Sequence, residues 1–255
     1  MDWHYIREKL KPIADGLFGK QRITRYEKPH YKIRELDYML ANLVRIPALE
    51  WRNYAFSREP LNGKFNDEQR LNWAAKSIEC GESYAQRLIS EYGTSDAKLL
   101  ASKLALEVLY PQYPDKTDRV LFADFTMPNK INIFMDAVYR AERLLQKRSV
   151  KRVLTENLQL VNIILSHEIF HFIEERYKHE IFTRTERVRL WSLGFLHNDS
   201  GIYALGEIAA MSFARTLNDL AYSPYVMDMF LIYDYSAEDA SGLYEEMMQL
   251  AGLEP

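Results

Sequence analysis

Residues 160–173 read LVNIILSHEIFHFI. Apolar side chains on both sides of a short polar group predict a largely buried helix, extending over about residues 154–177. His167 and His171 are four positions apart, so both imidazoles lie on one helix face, about one turn from each other. Glu168 lies on the neighbouring flank. This HExxH pattern lets two imidazoles bind one tetrahedral ion while a carboxylate reaches a water on that ion.

The pattern is unusual enough to favour a metal site. For average residue usage, an accidental HExxH in a chain of this length has odds of about one in a hundred. Two histidines and a glutamate on a buried helix are also costly without a metal or polar partners. We therefore expect zinc as cofactor, with His167 and His171 as ligands and Glu168 as the catalytic residue.

A catalytic zinc needs a third protein ligand and an open fourth position. The metzincin pattern would place glycine at 174 and histidine at 177. This chain has Glu174 and Tyr177 there, which excludes that subclass. The candidates elsewhere are Glu174, Glu175, His179, His197 and Glu207.

Glu207 is the favoured third ligand. It is the one charged residue in the apolar, small-residue-rich stretch LGEIAAMSFA at 205–214, where a glutamate is costly unless it binds something. Small neighbours such as Ala209 predict close packing of this helix on the HExxH helix. Two alternatives stay open, namely an exposed first-turn Glu207 favoured by the helix dipole and His197 as the ligand.

Composition limits the other classes of function. The net charge of −3 on 255 residues gives no general attraction to nucleic acid or anionic membranes. The single cysteine, Cys80, excludes an internal disulfide, and the N-terminus has no basic-then-apolar signal pattern. Apolar runs such as 160–165 are too short to span a bilayer. We expect a cytoplasmic protein that binds neither nucleic acid nor membrane, and the oligomeric state stays open.

Three regions separate by pattern: a helical N-terminal extension at 1–80, a core at 81–220 and a helical C-terminal tail at 221–255. The hydrophobic periodicity predicts an α+β fold that is predominantly helical, with a small antiparallel sheet packed on the HExxH helix. The main predicted helices lie at about 33–44, 67–92, 137–147, 154–177, 203–220 and 237–250, a short helix begins at 96, and strands lie at 107–110, 119–125 and 130–134.

The order of these segments resembles the ImmA/IrrE family of HExxH metallopeptidases over about residues 84–217. The letters YGTSD at 92–96 and LEV at 106–108 look like the family's opening helix-turn-helix-strand segment. The letters KINIF at 130–134 resemble its strand ahead of the active helix. The resemblance implies a zincin-like core.

The stretch EIAAMSFA at 207–214 matches the downstream ExxAxxFA pattern of this family. Its glutamate is the third ligand in that family, which implies a gluzincin-type set of His167, His171 and Glu207. The chain departs from the family at Phe170, where glycine is usual, and at Met211, where a small polar residue is usual.

The resemblance implies a hydrolase, a zinc metallopeptidase with Glu168 as general base. The family acts in bacteria and their mobile elements and often cleaves a DNA-bound repressor, so a transcriptional repressor is the implied protein substrate. The alternative is a catalytically inactive zinc-binding regulatory or interaction protein. Glu168 argues against this alternative, because a purely structural zinc site has no use for a base.

Two parts of the site stay open at this stage. The substrate would lie along strand 131–134 if that strand has a free edge, whereas a core strand is an equal alternative. No donor for the oxyanion is identified. Tyr203, His197 and Arg215 are nearby in sequence, and a structural role is the simpler prediction for each.

Overall fold

The described chain is predominantly helical, with one small sheet and one separate hairpin. The computed structural model describes residues 30–112, 122–154, 158–193 and 196–255. The helices are α1 (Leu36–Leu43), α2 (Arg52–Ser57), α3 (Asp67–Tyr92), α4 (Ala97–Lys103), α5 (Met135–Leu145), α6 (Arg148–Val153), α7 (Leu160–Arg176), α8 (Phe182–Thr185), α9 (Tyr203–Leu217), α10 (Val226–Tyr233) and α11 (Ala237–Leu250). Two 3-10 turns, Ala48–Trp51 and Asn62–Lys64, flank α2, and the strands are β1 (Glu107–Leu109), β2 (Ala123–Thr126), β3 (Lys130–Ile133), β4 (Arg187–Leu193) and β5 (Leu196–Gly201).

Local sequence signals fix the ends of α3. Asn66 and Gln69 form a reciprocal capping box, in which each side chain accepts a hydrogen bond from the other's backbone N–H. The helix stops at Gly93, which adopts a left-handed φ of 68°. The sequence predicted a helix over about 67–92, and both ends are confirmed, because capping depends on neighbours in sequence.

Two predicted helices begin later than expected. The helix predicted from about 33 begins at Leu36, and Ile33, ahead of it, is 61% exposed. The HExxH helix begins at Leu160, not near 154, because Leu154 is extended and ends the short helix α6. Tertiary packing decides such starts where no capping residue marks them.

The three-stranded sheet has the order β1-β3-β2. The turn at 127–129 makes β2 and β3 antiparallel, whereas β1 runs parallel to β3. The predicted purely antiparallel sheet is therefore wrong for β1, because strand direction is decided by pairing between residues far apart in the chain. The sheet packs on α7 as predicted, with the ring of Phe125 6.1 Å from that of Phe172.

Strand β3 is a core strand. It pairs with β1 on one side and β2 on the other, and Ile131 and Ile133 are fully buried. The alternative in which 131–134 offers a free edge to a substrate is therefore wrong, because both sets of backbone groups are already hydrogen-bonded.

Helix α9 packs against both α3 and α7. Its closest approach is to α3, where Gly81 lies against the backbone of Ala209 and Phe213. The predicted packing of α9 on the HExxH helix is also present, but through large side chains, since the rings of Phe170 and Phe213 lie 5.6 Å apart. Phe170, which replaces the glycine usual in the resembled family, is fully buried and links the two helices.

Residues Tyr31–Pro255 form one compact unit, in which segments on both sides of residues 81–220 pack together. Helix α3 continues across position 80, and Asn42 of α1 donates a 2.8 Å hydrogen bond to Tyr244 of α11. Among the described residues, no helix has the length and apolar character needed to cross a membrane.

The contact at Gly81 can be tested by Gly81→Ala. A Cβ at this position would collide with backbone atoms of α9, and backbone moves only if the helices separate. We expect this overpacking to lower the free energy of unfolding by about 1–3 kcal/mol, more than the better helix propensity of alanine restores. Urea denaturation measures the change.

Gly63→Ala is the control, because a Cβ there has no neighbouring heavy atom within 4 Å. An equal or stabilising effect of Gly81→Ala would show that α3 and α9 do not require this close approach.

Candidate metal centre

Two helices supply the predicted ligands. Helix α7 carries His167 and His171, and α9 carries Glu207 one turn from its N-terminus. The two imidazole Nε2 atoms lie 3.0 Å apart. The Oε2 atom of Glu207 lies 3.5 Å from His167 Nε2, and its Oε1 atom lies 3.4 Å from His171 Nε2. The structure thus brings these three side chains together into one group of possible metal ligands.

These distances fit a single small ion. Zinc bonds of about 2.0–2.2 Å in a tetrahedral arrangement separate neighbouring ligand atoms by about 3.3 Å. The two Nε2 atoms lie 3.0 Å from each other, and each lies 3.4 or 3.5 Å from one oxygen of Glu207. The donor set of two imidazoles and one carboxylate also suits zinc.

The protonation of the group is strongly coupled. Burial alone would raise the pKa of Glu207, but hydrogen bonds from His167 and His171 hold it well below its usual value. For His171 the effects are reversed, because burial lowers its pKa while the carboxylates of Glu174 and Glu207 raise it well above the usual value. The carboxylate and the imidazoles therefore stabilise one another in a buried place where each alone would be costly.

Glu174, a candidate third ligand in the sequence, has another position. Its Oε2 atom lies 2.9 Å from Nδ1 of His171, on the side of the ring away from Glu207. A histidine that donates its Nδ1 proton to a carboxylate is fixed in orientation and presents Nε2 to a metal. Glu174 is therefore placed to orient His171, and it was missed in that role because an i, i+3 spacing does not distinguish the two roles.

The burial of Glu174 is supported by several contacts. It is 3% exposed, its Oε1 atom accepts a hydrogen bond from Thr183, and Arg184 Nε lies 3.6 Å away. Gly206 of α9 leaves room for this carboxylate, since a Cβ there would lie 2.9 Å from it.

Burial and the nearby charge of Glu174 raise the pKa of the Cys80 thiol to about 11, so this cysteine is an inert buried thiol at neutral pH.

Glu168 lies beside the three ligands without joining them. It is 8% exposed, and burial raises its pKa above the usual value, against the opposing effect of His167 and His171. The charge of Asp124 on β2 raises it slightly further. A carboxylate with a raised pKa is a better base for a proton that must later be returned.

The other sequence candidates are elsewhere. Glu175 forms a 2.7 Å ion pair with Lys178, and His179 is exposed. His197 is half exposed on β5, 3.5 Å from Asp199, so it is not the third ligand. Arg215 donates to the carbonyl of Leu220, at the far end of α9 from Glu207.

The hairpin that carries His197 was not predicted. Strands β4 and β5 pair antiparallel between α8 and α9. The available signal was the alternation of exposed Arg187 and Arg189 with half-buried Val188 and Leu190. It was obscured because the second strand, LHNDSG, is almost entirely polar and has no such alternation.

Two further residues contact the first turn of α9. Glu59 was not predicted there, and Tyr203 was given only a structural role. Glu59 is 5% exposed, and its Oε2 atom accepts the backbone N–H of Ala204 at 3.0 Å, so it caps α9 from a distant part of the chain. Tyr203 lies beside Glu207. Burial, followed by the charge of Glu207 and a hydrogen bond to it, raises the pKa of this phenol.

No match is found when the chain is compared with protein-family models, with curated proteins and with solved structures. The resemblance to the ImmA/IrrE family therefore stays a prediction from the motifs.

The role of Glu174 can be tested by Glu174→Gln. The amide oxygen still accepts the His171 proton but carries no charge, so we expect zinc affinity to fall by about tenfold, the lower end of the range for such partners. Competition with a chromophoric chelator measures the affinity. Glu175→Gln, one position along the same helix, should leave it unchanged, and equal affinities in both variants would contradict the assignment.

Proposed function

We propose that this protein is a zinc-dependent metallopeptidase of the gluzincin type, in which His167, His171 and Glu207 hold the ion and Glu168 is the general base. The convergence of those three side chains, with ligand atoms 3.0 to 3.5 Å apart, carries the proposal. The position of Glu168 beside them favours a hydrolase over a purely structural zinc site.

Zinc bound here would supply a Lewis acid that lowers the pKa of a water toward neutrality and polarises a carbonyl. Glu168 accepts a proton from the attacking water and later delivers it to the leaving amine. Water is thereby added across the peptide bond, its oxygen to the carbonyl carbon and its proton to the nitrogen. The raised pKa of Glu168 suits both halves of this transfer.

Tyr203 is the donor that we propose for the developing oxyanion. It precedes Glu207 by one helical turn. Its hydroxyl is desolvated beside Glu207, whereas the residue as a whole is 52% exposed, so a substrate can reach it. Because its pKa is raised, the phenol stays protonated at neutral pH. Its single O–H donates to Glu207 in this structure, and we propose that it turns from that carboxylate to the oxyanion when substrate is bound. His197 and Arg215 have partners elsewhere, which supports Tyr203 over both.

The substrate is proposed to be a protein or peptide that lies along β2. In the described part of the chain β2 pairs with β3 alone, so its outer backbone groups can pair with an extended peptide. Two interactions support this placement. Phe125 of β2 contacts Phe172 of α7, and the charge of Asp124 acts on Glu168. A cytoplasmic regulatory peptidase that cleaves a repressor-type protein is the function that the motifs favour.

The central test is Glu168→Gln. This change removes the base but keeps the shape of the side chain, so hydrolysis should be abolished while zinc content is retained. His167→Ala and Glu207→Ala should lose zinc as well. Elemental analysis measures the metal, and mass spectrometry of new N-termini in a proteome-derived peptide library measures cleavage.

Full cleavage by Glu168→Gln would contradict this mechanism. Zinc bound by the wild type without any cleavage dependent on Glu168 would favour the alternative of a zinc-binding regulatory protein. Absence of zinc from both the wild type and Glu207→Ala would contradict the metal site itself.

The role of Tyr203 can be tested by Tyr203→Phe on any peptide that the wild type cleaves. Loss of one oxyanion donor should lower kcat by about 10²–10³-fold, with little change in KM or zinc content. Tyr139→Phe, which alters a tyrosine that is 56% exposed on α5, is the control. A kcat equal to that of the control would exclude Tyr203 as the donor.

A further inference from the structure

The two histidines of the candidate metal centre differ in the hydrogen bonding of Nδ1, the ring nitrogen that does not face Glu207. His171 Nδ1 contacts the carboxylate of Glu174 at 2.9 Å. Nδ1 of His167 is buried and has no hydrogen-bond partner among the described residues. A buried ring nitrogen without a partner is costly, and a metal-binding histidine almost always donates its other N–H to an acceptor. The structure therefore leaves one acceptor of the centre to be identified.

A buried carboxylate outside the motif interacts electrostatically with His167. Asp228 of α10 accepts a 2.9 Å hydrogen bond from the hydroxyl of Tyr54 through its Oδ2 atom. Burial raises the pKa of Asp228 to about 6, and His167 and Glu207 are both close enough to act on it. A buried carboxylate with one hydroxyl donor can accept further hydrogen bonds.

The hydroxyl of Tyr225 is a second buried polar group to be accounted for. Its ring lies between Trp51 and Tyr54, with centroids 5.5 and 5.4 Å away, and it is 5% exposed. Its hydroxyl is buried without a hydrogen-bond partner among the described residues. Burial, followed by the charges of Glu207 and Asp228, raises the pKa of this phenol.

We propose that Asp228 is a positioning residue of the metal centre, which holds His167 Nδ1–H through one buried water that also contacts the hydroxyl of Tyr225. Three polar groups around one water satisfy the number of partners that buried waters have. The inference rests on the proposed zinc site. It makes Asp228 the counterpart of Glu174, so that each histidine has its own carboxylate.

In this proposal, the segments that carry Tyr54 and Asp228 help to position a metal ligand. Tyr54 and Asp228 lie outside residues 84–217, which carry the family resemblance. The rings of Trp51, Tyr54 and Tyr225 pack together and hold α2 against the start of α10. Because Tyr54 fixes Asp228 by a hydrogen bond, both segments are needed to orient His167.

The test compares zinc affinity in full-length wild type, Asp228→Asn and Asp234→Asn, measured by competition with a chromophoric chelator. We expect Asp228→Asn to bind zinc about 10–100-fold more weakly, as for other outer partners of metal-binding histidines. Asp234 lies at the end of the same helix and pairs with Arg143 at 2.7 Å on the surface, so its variant should stay within about twofold of wild type.

Cobalt(II) in place of zinc gives a readout that does not depend on activity. Its d–d absorption should change in Asp228→Asn, because His167 is no longer held, and should be unchanged in Asp234→Asn. Unchanged affinity and spectrum in Asp228→Asn would overturn the inference while leaving the zinc site intact. Failure of the wild type to bind either metal would overturn both.

A second pair of variants decides the matter if Asp228→Asn does not fold. Tyr225→Phe removes only the hydroxyl, and Tyr222→Phe makes the same change at another buried tyrosine. We expect weaker zinc binding in Tyr225→Phe than in Tyr222→Phe. Equal affinities in this pair would overturn the inference.

Discussion

The approach of two imidazoles of α7 to one carboxylate of α9 is the contact on which the other features depend. Buried ionisable groups are stable only when each has a partner of opposite charge or a hydrogen bond. His167, His171 and Glu207 act as such partners for one another. The pKa of Glu207 is lowered and that of His171 is raised, as expected for a carboxylate that faces imidazoles. The contact requires α7 and α9 to keep a fixed position relative to each other.

Several neighbouring features keep these helices in place. The rings of Phe170 and Phe213 join them directly, and Gly81 lets α3 pack against the back of α9. Glu59 caps the N-terminus of α9, one turn before Glu207. A ligand set of this kind needs rigid supporting elements, because small displacements weaken metal binding. The core around the site therefore also positions the three candidate ligands.

The surroundings of the ligands also separate their chemical roles. Glu207 keeps a low pKa because two imidazoles face it, whereas burial dominates at Glu168 and raises its pKa. Glu174 faces the outer nitrogen of His171 and is held by Thr183. The surroundings thus suit Glu207 to binding an ion, Glu168 to transferring a proton and Glu174 to orienting His171.

The sequence by itself determined the HExxH helix, the three candidate ligands and the ends of α3, because periodicity, i, i+4 spacing and capping are local properties. It left Glu174 and His197 as possible ligands, predicted an antiparallel β1 and missed the hairpin. Only the tertiary structure decided these points, since strand direction and the facing of side chains depend on residues far apart in the chain. For the same reason the contact of Glu59 with the N-terminus of α9 and that of Tyr203 with Glu207 came from packing alone.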